Sequence, residues 1–188
     1  MVTKQISAAP FAMLAIFIGA IIPIMFAIAI FEDGFWTFDV NTLSDLGVSY
    51  DDTAAKIFNY TCIIGGILAA IVGLGKMFVK SGLDSASAFF LALGGVFLVG
   101  IGLFTEDYSI HNYIAYLFFA LITISLIISM VADSRNGRMI IAAISAIVFV
   151  IMLASFPGFT IAGVEVICVV CMCVWLIAQG VSLAFSKN

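Results

Sequence analysis

The chain has 188 residues, of which 64% are hydrophobic and 10% charged, and its mean hydropathy is +1.29. A soluble domain of this size cannot hide so much apolar surface, so the composition excludes a soluble globular fold and predicts a protein that is dissolved in lipid. With seven basic residues and a formal net charge of −4, it also excludes a basic nucleic-acid-binding surface.

Six apolar runs are long enough to cross a hydrocarbon core about 30 Å thick, which requires roughly 20 helical residues. Each run is predicted to be helical, because lipid offers no water to backbone N–H and C=O groups. The predicted spans are 10–31, 53–79, 85–105, 110–132, 139–156 and 161–185. We therefore expect an all-α polytopic membrane protein with a single six-helix transmembrane domain over residues 1–188.

The first run resembles a signal peptide, since Lys4 precedes it and Ala27-Ile28-Ala29 is similar to a cleavage site. Its apolar stretch is longer than the roughly 7–15 residues of a typical signal-peptide core. We expect this run to remain in the protein as the first helix.

Small residues recur at four-residue spacing in the second, third and fifth spans. Such rows allow helix backbones to approach closely in lipid, and we expect packing within one chain rather than a dimer interface. The rows are Gly65, Ala69 and Gly73; Ala88 and Ala92; and Ala142 and Ala146.

The charges divide unequally when the spans are threaded alternately through a bilayer. Nine of the eleven acids and the single histidine fall on one side with Lys56 as the only base, and six bases fall on the other. Basic loops face the cytoplasm, so we expect both termini to be cytoplasmic in a multi-pass protein of the plasma membrane. The six bases are Lys4, Lys76, Lys80, Arg135, Arg138 and Lys187.

Polar residues at the external boundary form the candidate site. They lie within about one to two helical turns of that boundary, given the rise of 1.5 Å per residue. Ionisable groups at membrane depth are costly and usually face the bundle interior or a watery cavity. The inner side has no equivalent set. The external residues are Asn59, Glu106, Asp107, His111 and Glu165.

Glu165 and His111 are the sharpest signals in this set. Glu165 stands between Val164 and Val166, where it is either a functional intramembrane acid or a carboxylate that caps a helix N-terminus. His111 is either a solvent-exposed residue or part of an acid–imidazole pair with Glu106 or Asp107 that exchanges protons near neutral pH.

The side of His111 continues along its helix as an apolar, aromatic surface. Ala115, Phe118 and Phe119 share its face at helical spacing. A polar mouth above an apolar wall suits an amphipathic ligand.

The four cysteines, Cys62, Cys168, Cys171 and Cys173, all lie inside apolar runs. We interpret them as packing residues, although the CxxC spacing also suits a thiol pair or a soft Cu(I) site. With one histidine, a bis-histidine haem or a histidine-rich zinc site within one chain is excluded. We predict no cofactor and no bound metal.

Several short motifs resemble the membrane family called "domain of unknown function 998". They are Leu43-Ser44-Asp45-Leu46-Gly47 followed by Asn59, then Gly102-x-Phe104 with Glu106 and Asp107, His111-x-x-x-Ala115-x-x-Phe118-Phe119, and Gly163-x-Glu165. An arginine expected after the glutamate is Val166 here. The resemblance implies a six-helix bundle of unestablished activity, with one site that contains Ser44, Asp45, Asn59, Asp107, His111 and Glu165. It implies no reaction.

Three functions remain open. The first is binding of a lipid-like or small amphipathic ligand from the outer leaflet, with a polar end among Asp45, Asn59, His111 and Glu165. The second is a structural or partner-binding bundle whose polar groups satisfy one another. Membrane lipids are the expected partners, nucleic acid is not, and the oligomeric state is left open.

The third possible function is that of an intramembrane hydrolase of lipid head groups. His111 would be its general base, oriented by Asp107 or Glu106, with Ser44 as the candidate nucleophile. Alternatively, these carboxylates and His111 would hold a divalent metal.

Overall fold

The computed structural model describes residues 7–185, so Lys4 and Lys187 lie outside the described residues. The described chain forms six α-helices and one short 3-10 helix, without strands. The helices are α1 (Ala9–Asp33), α2 (Asp52–Val79), α3 (Gly82–Leu103), α4 (His111–Arg135), α5 (Met139–Ser155) and α6 (Ile161–Phe185), and the 3-10 helix is Ser44–Val48. The predicted all-α fold is confirmed, and each predicted span matches one helix to within three residues at either end.

The helices are those of a multi-pass membrane protein. Five of them are long and apolar enough to cross a membrane, and α5, with 17 residues, is the shorter one. At 1.5 Å per residue α5 rises about 26 Å, slightly less than the hydrocarbon thickness of a bilayer. Many large apolar side chains lie on the outside of the bundle, as lipid permits, including Phe17, Phe78, Val96, Ile140 and Val150.

The six helices form a closed ring in chain order. Each packs on the next, and α1 packs on α6 to complete the ring. Successive helices run in opposite directions, so the connections 34–51, 104–110 and 156–160 share one end, which we call the loop end. The short turns 80–81 and 136–138 lie at the other end, which we call the turn end.

Small residues allow α2 and α3 to pack with their backbones in contact. A Cβ atom on Gly66 would lie 2.5 Å from the carbonyl oxygen of Gly95, and one on Gly73 would lie 2.6 Å from that of Ala88. Ala92 also faces Gly73. The small-residue rows of these two helices therefore serve packing within the chain, as expected.

The turn end contains a buried ionic network, which contradicts the expectation that this side has no polar set. Its members, the "turn-end network", are Lys76, Asp84, Asp133, Arg138 and Gln179. All except Arg138 are buried. Two cations and two carboxylates make the set neutral overall, which is the condition under which charges are tolerated away from water.

The bonds of the turn-end network connect five helical segments. The Lys76 ammonium donates to Gln179 Oε1 at 2.9 Å, and Gln179 Nε2 donates to Asp133 Oδ2 at 2.8 Å. The Arg138 guanidinium donates to both Asp84 oxygens, at 2.7 and 2.9 Å, and to Asp133. The network thereby joins α2, α3, α4 and α6 and the residue that precedes α5. These bonds fix the rotation of the helices about their axes.

Candidate functional site

Three segments of the loop end are bonded to one another above the bundle. They are the 34–51 connection, the 104–110 connection and the first turns of α6. Because each contributes groups to the same small region, residues far apart in sequence become neighbours there.

Glu165 anchors the 34–51 connection to α6. One of its oxygens accepts a hydrogen bond from the Leu43 backbone N–H at 3.0 Å, and the other accepts from the Ser44 hydroxyl at 3.3 Å. The carboxylate therefore bonds the loop rather than the N-terminus of its own helix. The capping interpretation of Glu165 is wrong.

Asp39 makes the bonds at the start of α6 instead, a role that the sequence did not reveal. Its Oδ1 accepts from the Thr160 N–H at 2.7 Å and from the Thr160 hydroxyl at 2.9 Å. A Cβ on Gly163 would collide with the same Oδ1. The glycine of Gly163-x-Glu165 thus gives Asp39 room to approach, which is the one signal from which its role could have been found.

Asp45 and Glu106 lie on either side of Thr42. The Thr42 N–H donates to Asp45 Oδ2 at 2.8 Å, and the Thr42 hydroxyl lies 3.2 Å from Glu106 Oε1. Glu106 is at the rim of the site, outside the helices. Partial burial and the neighbouring Asp45 carboxylate raise the pKa of Glu106, while Thr42 and His111 oppose that shift.

His111 is the first residue of α4 and is only 3% exposed. Its Nδ1 lies 2.6 Å from the carbonyl oxygen of Phe104. A carbonyl only accepts, so Nδ1 carries a proton, and in the neutral imidazole Nε2 presents a lone pair. Nε2 has no hydrogen-bond partner within residues 7–185.

The orientation of His111 by Asp107 or Glu106, which the hydrolase interpretation requires, is not found among residues 7–185, although Glu106 and His111 line the same groove. Phe104 orients the imidazole in place of Asp107 or Glu106. The exposed Asp107 side chain forms no hydrogen bond with the described residues. Nor does the Ser44 hydroxyl bond to His111, since it donates to Glu165. The nucleophile–base hydrogen bond that a hydrolase would show is absent from the part of the chain that the structure describes.

Asn59 lies apart from the other predicted site residues. Its Nδ2 donates to the Gly47 carbonyl at 2.9 Å, which fastens the 3-10 helix to α2, while its buried Oδ1 has no partner among the described residues. A Cβ on Gly47 would lie 2.8 Å from that Oδ1. The pair Gly47 and Asn59 therefore serves the contact between loop and helix.

A groove of about 540 Å³ opens between α4, α5 and α6 beneath these loops, and we call it the α4–α6 groove. Its polar mouth is formed by Thr42, Ser44, Glu106, His111 and Glu165. Its wall is largely apolar and includes Ala115, Phe119, Ala120, Phe149, Met152, Leu153, Phe156, Val164 and Cys168. Of the predicted helix face that follows His111, Ala115 and Phe119 line the groove, whereas Phe118 is buried in the core.

Other candidate sites contain fewer side chains that could react with or bind a ligand. A second groove, of about 470 Å³ between α1 and α2, includes Ile21, Met25, Ile64 and Leu68 in its lining but no acid or histidine. All four cysteines are buried free thiols. Among residues 7–185, no group of three or more histidine, cysteine, aspartate or glutamate side chains is arranged to hold a metal ion.

Comparison with protein families identifies a match over most of the chain. The family model described as "Protein of unknown function (DUF998)" matches residues 12–182. No curated protein and no solved structure matches the chain.

Proposed function

The chain belongs to the DUF998 family of proteins of unknown function, and from that premise we propose that it binds a lipid-like or small amphipathic molecule in the α4–α6 groove. The observation that carries the proposal is that this groove touches both His111 and Glu165 at one end and an apolar wall along the rest. An amphiphile has the same division between a polar head and an apolar tail.

The dimensions and lining of the groove support this proposal. Pockets for small molecules usually enclose roughly 300–1,000 Å³, with a mostly apolar lining and a few polar groups that fix orientation. Several lining residues, among them Tyr116, Leu153 and Phe156, are also exposed on the outside of the bundle. A ligand can therefore enter sideways from the lipid without leaving the bilayer.

We further propose that all six helices span the membrane, with both termini cytoplasmic and the loop end outside. Of the basic residues that the structure describes, only Lys56 lies at the loop end, where it pairs with Asp52. Lys76, Lys80, Arg135 and Arg138 lie at or near the turn end, as the positive-inside rule expects for a cytoplasmic face. The ligand would then enter from the outer leaflet.

Filling the groove tests the proposed function. Ala120 is exposed and lines the groove, so Ala120→Phe should occupy the space of the ligand with little disturbance of the core. Ala143 of α5 is equally exposed and lies outside the groove, which makes Ala143→Phe the matched control. We expect mass spectrometry to find a co-purified lipid on the wild type and on Ala143→Phe, and to find it depleted on Ala120→Phe.

An unchanged set of lipids on Ala120→Phe would contradict the proposal. The loop-anchoring bonds of Glu165 and Asn59 would then remain as the main role of the polar residues, which corresponds to a structural bundle.

A further inference from the structure

Building on the proposed function, we infer that the ligand of the α4–α6 groove carries a primary ammonium head group. The inference depends on which hydrogen-bonding groups remain available at the mouth after the protein's own bonds have been assigned.

The two carboxylates at the mouth accept hydrogen bonds and cannot donate when ionised. Glu106 lies at the rim, and Glu165 lies deeper beside Ser44. Each oxygen of Glu165 holds one bond from the loop, which leaves further lone pairs for a ligand. No lysine or arginine lines the groove within residues 7–185. The acids of the mouth therefore have no lysine or arginine in the groove to pair with, and each adds negative charge to the mouth when it is ionised.

His111 provides an observation that is independent of the acids. It is almost fully buried and lines the groove, its Nδ1 is bonded to Phe104, and its Nε2 is unpartnered among the described residues. Nε2 is not a fully enclosed atom, so it can be reached from the groove, whose lining includes His111. A donor on the ligand would satisfy it.

The hydroxyl groups point to the same chemistry. The Ser44 proton is directed to Glu165 and the Thr42 proton to Glu106, so neither hydroxyl has a proton left for a ligand, and each oxygen can only accept, although Thr42 Oγ1 already accepts one bond from the Asp45 N–H. The carboxylates, the imidazole nitrogen and the hydroxyl oxygens are thus acceptors, and among the donors of the lining, Asn112 and Tyr116 belong to exposed side chains. A primary ammonium has three donors, no acceptor and one positive charge, which complements the mouth in both hydrogen bonding and electrostatics.

Other head groups fit less well. A phosphate or carboxylate would meet the charges of Glu106 and Glu165 and would be repelled. A quaternary ammonium has the correct charge but no donor for His111 Nε2, and an alcohol has one donor and no charge.

The test uses amphiphiles with one alkyl chain and different heads. Dodecylamine, dodecyltrimethylammonium and dodecanol are titrated against the full-length protein in phosphatidylcholine nanodiscs, with affinity read by native mass spectrometry. We expect dodecylamine to bind at least about tenfold more tightly than either of the others, as the loss of one charge-assisted hydrogen bond predicts. Ala120→Phe should weaken all three.

Two carboxylate variants test whether the acids at the mouth cause the preference for dodecylamine. Glu165→Gln keeps an acceptor for Leu43 and removes the charge, and Glu106→Gln does the same at the exposed rim. Each should reduce the affinity for dodecylamine about tenfold and leave that for dodecanol unchanged. Glu32→Gln, which removes an exposed acid outside the groove, is the control and should change neither.

The outcomes separate the two proposals. Equal binding of the three amphiphiles that is lost in Ala120→Phe would overturn the ammonium head and leave groove binding intact. Binding that Ala120→Phe does not affect, or no binding at all, would overturn both. If Glu165→Gln fails to fold, the rim variant Glu106→Gln decides the question, and unchanged dodecylamine affinity in that variant would overturn the inference.

Discussion

At the scale of single residues, the loop end combines anchoring with open hydrogen-bonding capacity. Glu165 holds Leu43 and Ser44 and also lines the groove, so one carboxylate both positions the loop and faces the proposed ligand. His111 is similar, because its bond to Phe104 fixes the ring and directs the other nitrogen away from that carbonyl. The same bonds that order the loops therefore determine which atoms remain free.

Glu106 allows a test of this environment through pH. Its pKa in the folded protein is raised above the ordinary value of 4.5, by partial burial first and by Asp45 second. The folded state therefore binds this proton more tightly than the unfolded state does. The resulting stability is fully present below the unfolded pKa and is lost as pH rises through the folded pKa.

We expect the free energy of unfolding of the wild type to fall relative to Glu106→Gln as pH rises from about 4 through the raised pKa. Thermal melts of both proteins in the same micelles, across that range, measure the difference. The two proteins differ only at position 106, so the difference between their melts reports on this carboxyl group. A wild type that gains stability relative to the variant over this interval would contradict the assigned environment.

At the scale of helices, the ring is closed by different means at its two ends. Close backbone contact joins α2 to α3 along Gly66, Gly73 and Gly95. The turn-end network joins the helices through charge, and the loop end joins them through the anchored connections. No glycine brings α4 close to α5 or α5 close to α6 in this way, and the groove lies between these helices.

A double-mutant cycle tests whether the turn-end network acts as a unit. Asp84→Asn leaves Lys76 and Arg138 with one carboxylate between them, and we expect a loss of roughly 3–5 kcal/mol in the free energy of unfolding. Lys76→Met with Asp84→Asn leaves the neutral pair of Arg138 and Asp133. The double variant should therefore be less destabilised than the two single changes added together.

Equilibrium unfolding in mixed micelles measures the free energy of unfolding of the wild type, the two single variants and the double variant. Additive losses would indicate that Lys76 and Asp84, 3.8 Å apart, do not interact energetically.

At the scale of the whole molecule, the two ends carry different chemistry. The turn end has a neutral buried network with basic residues around it, and the loop end has acids, one histidine and a groove. Under the proposed topology, the groove opens to the outer leaflet and the basic residues face anionic lipids of the inner leaflet.

Reporter insertions test that orientation. Reporters placed after Ser81 and after Asn136 should both report the cytoplasm, and one placed after Gly34 in the long connection should report the outside. The opposite pattern would reverse the topology and with it the leaflet from which a ligand enters. A cytoplasmic signal at Gly158 together with the expected signals elsewhere would show that α5 does not span.

The spans were predictable because hydropathy and turn residues depend on sequence alone, and so was the gathering of Glu106, His111 and Glu165 at one end. The hydrogen-bond partners of these residues were not predictable from the sequence. Asp39 acts through loop geometry, for which Gly163 is the only trace in the sequence, and the Phe104 carbonyl is a backbone atom that leaves no pattern. Lys76 and Asp84 flank a short turn and resemble ordinary loop charges until helix rotation places them inside the bundle.

Photolabelling in bilayers is the most direct test of ligand binding in the α4–α6 groove. Dodecylamine with a diazirine in its alkyl chain is activated on the wild-type protein, and the adducts are mapped by peptide sequencing. We expect saturable adducts on the groove wall, at Phe119, Phe149 and Leu153, that excess unlabelled dodecylamine suppresses. Adducts spread over lipid-facing residues such as Phe78 and Val96, without competition, would contradict a ligand site in this groove.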